Sequence, residues 1–161
     1  MSIALRPATP EDAPEIHRLI VALATYEREP DAVVVTSAEL ATQLASERPP
    51  FECLLAEADG VVVGFALYFH NYSTWRGRAG LYLEDLFVEP AQRGRGIGRK
   101  LLIALAAIAV ARGCARMEWM VLDWNEPAIA FYRSLGAQAV DGWHVFRVTD
   151  TALTDLANRP D

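Results

Sequence analysis

The sequence has few of the residues that build metal centres and disulfide frameworks. It contains two cysteines, Cys53 and Cys114, and three histidines, all widely separated and without a Cys-x-x-Cys pair. Zinc sites and disulfide scaffolds need thiols or imidazoles in characteristic, repeated spacings. The sequence therefore predicts no metal site and no disulfide framework.

Long apolar runs are also missing. The longest one, Leu101 to Ala111, is well short of the roughly 20 residues that a helix needs to cross a bilayer. The segment from Met1 to Pro7 lacks the apolar core of a signal peptide. We therefore expect a cytoplasmic protein without a membrane partner.

An overall excess of positive charge is absent too, because the net charge is −6. This balance argues against a broad nucleic-acid surface and is compatible with a small cationic substrate. The chain has 161 residues, 52% of them hydrophobic, and contains no linker, repeat or low-complexity segment. We expect a single domain over residues 1–161.

Against this acidic background, four of the fifteen basic residues stand between Arg93 and Lys100. They surround a glycine-rich segment, Arg93 to Gly98, between an apolar run that ends at Val88 and a helix predicted from Ile97. Glycines let backbone N–H groups approach an anion, and a helix start adds unpaired donors and a positive dipole end. The segment predicts a phosphate site, although a basic turn with glycines would have the same composition.

Two familiar phosphate loops do not fit this segment. A Walker loop ends in Gly-Lys followed by serine or threonine, whereas Gly98 precedes Arg99 and Lys100. A dinucleotide fingerprint that starts at Gly94 requires glycine or alanine at position 99, which is arginine. The pattern that remains is Arg-x-x-Gly-x-Gly, formed by Arg93, Gly96 and Gly98.

Periodicity, caps and turn residues predict a mixed α/β (α+β) fold. A capping box, Thr36 with Glu39, starts the second helix, and Asp59-Gly60 is typical of a tight hairpin in an antiparallel meander. The predicted order is β-α-α-β-β-β-α-β-α-β-β. The strands are expected at 3–6, 51–58, 61–69, 80–88, 117–122, 138–140 and 143–148, and the helices at 9–26, from 36 to before Pro49, 97–112 and 125–135.

Two acids, Glu84 and Asp85, interrupt an otherwise apolar strand. Burying a carboxylate without a partner is costly. A period of two places the two side chains on opposite faces, so we expect them to have separate partners. One can be structural and the other functional, or both can be satisfied by arginines or backbone amides.

The loop resembles motif A of the GCN5-related N-acetyltransferases (GNAT). The likeness becomes closer with the diamine acetyltransferases, the spermidine/spermine and thialysine N-acetyltransferase group. It rests on segments spread over nearly the whole chain, namely Arg6 to Thr9, Tyr26-Glu27, Leu81 to Asp85, Arg93 to Gly98, Trp124 to Pro127 and Phe131-Tyr132. The resemblance implies the GNAT fold, acetyl-CoA as cosubstrate, a small-molecule amine as acceptor and a homodimer.

The resemblance also implies a role for each matched residue. Glu84 would be the base and also contact the substrate, and Tyr132 would be the acid that protonates the leaving thiolate. Tyr26 and Glu27 would bind the amine, with Asp141 at its distant end; without the resemblance, Tyr26-Glu27 would be read as an exposed helix end. The cofactor would be held by Leu86, Phe87, Val88, Arg93, Gly94, Arg95, Gly96, Ile97, Gly98, Arg99, Asn125, Glu126, Pro127 and Ala128.

The expected reaction is direct transfer of acetyl to a polyamine, diamine or thialysine-like amino acid, without an acetyl-cysteine. Two alternatives stay open. The same chemistry can act on a protein N-terminus, a lysine or an aminoglycoside. The chain can also be a noncatalytic acyl-CoA-binding sensor, against which the presence of both Glu84 and Tyr132 argues.

Overall fold

A computed structural model describes residues 2–160. Met1 and Asp161, the two ends of the predicted domain, lie outside the described residues. Backbone contacts divide the chain into two compact units, one up to Leu122 and one from Asp123 onward.

The first unit contains a sheet with helices packed on it. Its strands are β1 (Ile3–Pro7), β2 (Glu52–Ala58), β3 (Val61–Ser73), β4 (Arg78–Val88) and β5 (Met117–Glu118), and its helices are α1 (Ala13–Tyr26), α2 (Ser37–Leu44) and α3 (Ile97–Ala111). Within the described residues the strands form one sheet in the order β1-β2-β3-β4-β5. The first three pairings are antiparallel and β4 with β5 is parallel. The predicted mixed α/β class and the antiparallel meander are confirmed.

Local signals in the sequence account for several boundaries. The Thr36 hydroxyl accepts a hydrogen bond from Glu39 N–H at 3.2 Å, and the Glu39 carboxylate accepts from Thr36 N–H at 2.8 Å, as the capping box predicted. Asp59 and Gly60 both have positive φ, which is the turn geometry that suits two twisted antiparallel strands. Helix α1 ends at Tyr26, as expected.

The core lies on both faces of the sheet. Side chains of α1 and α2 form one buried cluster with alternate strand residues, including Leu55, Phe65 and Phe87. The intervening residues of the same strands, such as Leu54 and Ala66, are buried as well but outside that cluster, so they face the other side. Helix α3 covers that second face. Its buried side chains are Ile97, Leu101, Leu102, Leu105 and Ala109.

A β-bulge in β4 changes the face of the sheet on which the later side chains of that strand lie. Leu83 pairs with Tyr68 and Asp85 pairs with Leu67, so Glu84 has no partner in β3. Leu83 therefore lies on the α3 face, whereas Asp85, opposite Leu67 of the α1 cluster, lies on the α1 face. The expectation that Glu84 and Asp85 simply alternate assumed an unbroken period of two, and the bulge interrupts that period.

Strand β5 is shorter than the predicted 117–122 segment. It pairs with β4 only at Leu81 and Tyr82, just before the bulge. A bulge bends and twists its strand, so a neighbour that follows the straight part separates from it there.

The second unit differs from the sequence prediction after its first helix. Helix α4 (Glu126–Ser134) is present as predicted, and Gly136 follows it with φ 92°. The predicted strands at 138–140 and 143–148 are wrong, because this stretch forms no sheet ladder and its residues are exposed. An isolated hairpin is at best marginally stable in water, and residues 123–160 contain no strand that could pair with it. Helix α5 (Asp150–Ala157) was not predicted; Thr149 at its N-cap and the spacing of Leu153 and Leu156 were the available signals.

Candidate active site

Three carboxylates meet where α1 ends and β4 bulges. Glu27 is the residue that follows the last turn of α1, and Glu84 and Asp85 are the bulge pair. Glu84 is exposed, whereas Glu27 and Asp85 are half-buried. We call these three residues the acidic cluster.

Electrostatics within the acidic cluster are unfavourable for the negative charges. Burial, followed by repulsion from Glu84 and then from Glu27, raises the pKa of Asp85 to about 6. Burial also raises the pKa of Glu27. Within residues 2–160, only burial and neighbouring carboxylates account for the pKa shifts of these two groups, and no cation contributes to either shift. A positively charged ligand would supply the missing counter-charge.

Arg93 lies beside this cluster and contacts both α1 and β4. Its guanidinium carbon is 4.8 Å from the centre of the Tyr26 ring and 5.4 Å from the centre of the Phe87 ring. Its Nε donates a hydrogen bond of 3.0 Å to the Val88 carbonyl oxygen. The structure thus brings together three residues predicted to bind cofactor, Arg93, Phe87 and Val88, and Tyr26, which is predicted to bind substrate.

The glycine loop leads directly into α3. Gly94 and Gly96 have φ values of 78° and 74°, a left-handed conformation that L side chains rarely adopt, and Gly96 is the N-cap of the helix. No side chain caps this N-terminus. The backbone N–H groups of the first turn, at 97–99, precede the first intrahelical donor, Lys100, which bonds the Gly96 carbonyl at 3.0 Å. This geometry suits an anion, as the sequence predicted.

The end of β4 has an open edge. Leu86, Phe87 and Val88 pair with β3 on one side, but the ladder with β5 stops at Tyr82 in the part of the chain that the structure describes. Unpaired backbone N–H and C=O groups along a strand edge can bind an extended chain with amide groups. The open edge lies immediately before the glycine loop in sequence.

Gly64 of β3 explains how β3 and β4 come so close together at the end of β4. It pairs with Val88, and a Cβ at position 64 would lie 2.9 Å from the Phe87 carbonyl oxygen. No motif in the sequence marked this glycine. An isolated glycine inside a strand was the only signal available.

The remaining predicted site residues belong to the second unit. The Asn125 side chain accepts a hydrogen bond from Ala128 N–H at 3.4 Å and thereby caps α4, whose first turn contains Glu126 and Pro127. Tyr132 is half-buried on the same helix, with its ring 5.6 Å from that of Phe131. Asp141 is exposed, next to Gly142 with φ 87°.

Residues 2–160 contain neither a metal-binding cluster of side chains nor a membrane-spanning helix. No group of three or more histidine, cysteine, aspartate or glutamate residues is arranged to hold a metal ion. None of the helices in this part of the chain has both the length and the apolar character needed to cross a bilayer.

Comparison with known proteins identifies the family. Residues 13–137 match the model of the acetyltransferase (GNAT) family. The thialysine N-epsilon-acetyltransferase of Bos taurus is 40% identical over 168 residues, which cover 98% of each chain. The spermidine/spermine N(1)-acetyltransferase-like protein 1 of Homo sapiens is 39% identical over 163 residues, which cover 95% of this chain and 23% of that protein.

A solved structure extends the likeness to three dimensions. An integron cassette protein from the mobile metagenome of V. cholerae has a TM-score of 0.83 and 28% identity, and the alignment covers 99% of both chains. The resemblance to GNAT proteins, and to the diamine and thialysine group within them, is confirmed. The chain therefore belongs to the acetyltransferase (GNAT) family and is an N-acetyltransferase.

Proposed function

We propose that this N-acetyltransferase works as a single domain and transfers acetyl from acetyl-CoA to the primary amine of a small cationic substrate. A polyamine, a diamine or a thialysine-like amino acid fits this description. The observation that carries the proposal is the acidic cluster of Glu27, Glu84 and Asp85, in which burial, followed by repulsion from Glu84 and then from Glu27, raises the pKa of Asp85. A dication or an amino acid with a distant ammonium group relieves that repulsion.

The residues present also fit the cosubstrate. Acetyl-CoA supplies an activated acetyl thioester on a long arm that contains amides and ends in phosphates. The open edge of β4 at Leu86, Phe87 and Val88 would hold the arm through backbone hydrogen bonds. The N–H groups of the glycine loop and the charges of Arg95 and Arg99 would hold the pyrophosphate. Asn125 to Ala128 would contact the arm further along.

Proton transfer is assigned to two side chains. An alkylammonium has a pKa of about 10, so it must lose a proton before its nitrogen can attack. Glu84 would accept that proton, through ordered water. Tyr132 would donate its phenolic proton to the sulfur as the carbon–sulfur bond breaks, and the second proton on the acetylated nitrogen would then pass to the Tyr132 phenolate, which leaves a neutral amide. A backbone N–H near Leu86 or Phe87 would donate to the carbonyl oxygen, on which negative charge develops.

The transfer is direct and needs no acetyl-cysteine. Cys53 is a core residue, and burial raises the pKa of its thiol to about 12. Cys53 is therefore protonated at neutral pH and is a poor nucleophile. Cys114 follows α3 and lies outside the acidic cluster and the glycine loop.

Substrate recognition is assigned to Tyr26, Glu27, Glu84 and Asp141. Tyr26 and Glu27 stand at the end of α1, where the Glu27 carboxylate belongs to the acidic cluster. Asp141 would contact the amine that is not acetylated. The reacting amine would lie near Glu84.

Release of free thiol from acetyl-CoA tests the proposal. The purified protein is screened with spermidine, putrescine, thialysine, lysine, aminoglycosides and short peptides. Turnover with a diamine or thialysine supports the proposal. Turnover confined to peptides or aminoglycosides contradicts the proposed substrate class and indicates that the protein acetylates another kind of amine. Tight acetyl-CoA binding without turnover on any amine replaces it with a sensor function.

We also propose that the active form is a homodimer. Trp143, Val145 and Phe146 are 72%, 70% and 93% exposed, and such a group of exposed apolar side chains marks a contact surface. A second copy of the chain would cover it. Light scattering on the wild type and on a Phe146→Ser variant measures the mass; a monomeric wild type at micromolar concentration contradicts this assignment.

A further inference from the structure

We propose that Arg93 is a positioning residue that fixes Tyr26 against the end of β4, and that its side chain is not a phosphate ligand. This inference rests on the proposed function, in which Tyr26 contacts the amine and β4 contacts the cofactor arm. It departs from the sequence-based assignment of Arg93 to cofactor binding. The rest of the glycine loop keeps that assignment.

The contacts of the guanidinium carry the inference. Its central carbon lies over the Tyr26 ring, 4.8 Å from the ring centre, and 5.4 Å from the centre of the Phe87 ring, both within the range of a cation–π contact. Its Nε donates a hydrogen bond of 3.0 Å to the Val88 carbonyl oxygen. The group is thus engaged by the end of α1 and by the end of β4.

An arginine is required for this arrangement. A guanidinium is planar, so it stacks on a ring while an N–H in its plane donates a hydrogen bond. A lysine ammonium has the same charge but is a compact, strongly hydrated point. A phosphate ligand at this position would tolerate lysine, whereas a planar spacer between two rings and a carbonyl would not.

Arg93 therefore connects the proposed amine site at the end of α1 with the proposed cofactor site at the end of β4. Tyr26 is the last residue of α1, and Glu27 of the acidic cluster follows it directly. Without Arg93, the link that its side chain makes between the Tyr26 ring and the Phe87 and Val88 end of β4 is lost. We therefore expect loss of Arg93 to impair amine binding more than cofactor binding.

The first experiment compares Arg93→Lys and Arg93→Met with Arg99→Lys and Arg99→Met. Calorimetry with coenzyme A gives cofactor affinity, and steady-state kinetics with the best amine gives KM and kcat. Arg93→Lys should raise the amine KM by about fivefold while the coenzyme A Kd changes less than about twofold. Arg99→Met should show the reverse pattern. An Arg93→Lys variant with a normal amine KM, or an Arg93→Met variant with coenzyme A affinity reduced as in Arg99→Met, overturns the inference.

The second experiment needs no substrate and separates this inference from the proposed function. Thermal unfolding is measured for Arg93→Met, Tyr26→Leu and the double variant, with Tyr26→Phe as the conservative control that keeps the ring. Each disruptive change should lower Tm by about 2–4 °C, and the double variant should lose little more than one single variant. Additive losses overturn the inference. If no amine is turned over at all, the proposed function fails, and this cycle still decides whether Arg93 and Tyr26 are coupled.

Discussion

The Glu27 carboxylate at the end of α1 helps to raise the pKa of the Asp85 carboxylate on β4. The two residues are far apart in sequence and come together because α1 packs on the face of the sheet to which the bulge directs Asp85. Their repulsion disfavours the folded state and favours a bound cation.

Replacing Asp85 with asparagine should stabilise the protein at pH 8. The folded-state pKa is about 6 and the ordinary value is 3.8, so the folded protein binds the proton more tightly and stability falls as pH rises between these values. The gain is at most about 3 kcal/mol, since one pKa unit corresponds to about 1.4 kcal/mol. Urea unfolding from pH 4 to pH 8 measures it, and the advantage should shrink toward pH 4.

Asp12→Asn is a control variant that should change stability in the opposite direction. Arg6 donates hydrogen bonds to the Asp12 carboxylate and lowers its pKa to about 2. Stability from this pair is present above pH 3.8 and is lost only as pH falls toward 2, so Asp12→Asn should destabilise the protein at pH 8. If both asparagine variants shift stability in the same direction at pH 8, the account of Asp85 is wrong.

Binding of a small dicationic amine should weaken as pH falls through about 6. Protonation of Asp85 removes one negative charge from the acidic cluster, while the amine stays fully protonated over this range. Calorimetry in the presence of coenzyme A should show about a tenfold loss between pH 7.5 and pH 5, which corresponds to about 1.4 kcal/mol. In the Asp85→Asn variant the affinity for the amine should be lower and nearly independent of pH. If the affinity of that variant still falls with pH as in the wild type, Asp85 is not the titrating group.

Tyr132→Phe should lose turnover and keep cofactor binding. The change removes the proposed proton donor and keeps the ring that packs near Phe131. General acid catalysis typically contributes a factor of about 10² to 10⁴, so we expect kcat to fall by at least about 10². Phe131→Leu serves as a packing control with near-normal kcat. Normal turnover in Tyr132→Phe assigns the acid role to another group.

Gly64→Ala should destabilise the sheet and weaken coenzyme A binding. The added Cβ would lie 2.9 Å from the Phe87 carbonyl oxygen and 3.3 Å from Val88 Cγ2, so β4 has to move at its open edge. Overpacking of this kind costs about 1–3 kcal/mol. Chemical unfolding and calorimetry measure the two effects. Val61→Ala, at an exposed position of the same strand, should change stability by less than about 0.5 kcal/mol.

Features with local causes were predictable from the sequence. The capping box of Thr36 and Glu39, the turn at Asp59-Gly60 and the glycine loop each depend on backbone conformations that neighbouring residues determine. All three have the predicted geometry in the structure. The order of elements follows as far as α4 for the same reason.

Features that depend on pairing between distant segments were not predictable. The bulge at Glu84 is a matter of register between β3 and β4; the two acids Glu84 and Asp85 marked the place as unusual, but nothing in the sequence showed that the pairing shifts there. The contact of Arg93 with Tyr26 depends on how α1 packs against β4. The strands expected at 138–140 and 143–148 have the right composition, but a strand also needs a partner backbone, which composition does not report.

The bulge also divides β4 into two halves with separate tasks. Before Glu84 the odd-numbered side chains complete the packing under α3, and after it the odd-numbered side chains belong to the α1 face, which leaves Leu86 and Val88 on the other face. Without the bulge, Glu84 would take the place opposite Leu67, and every later side chain of β4 would lie on the opposite face of the sheet. The orientation of the proposed cofactor-binding end of β4 therefore depends on this one irregularity of register as much as on the chemistry of its residues.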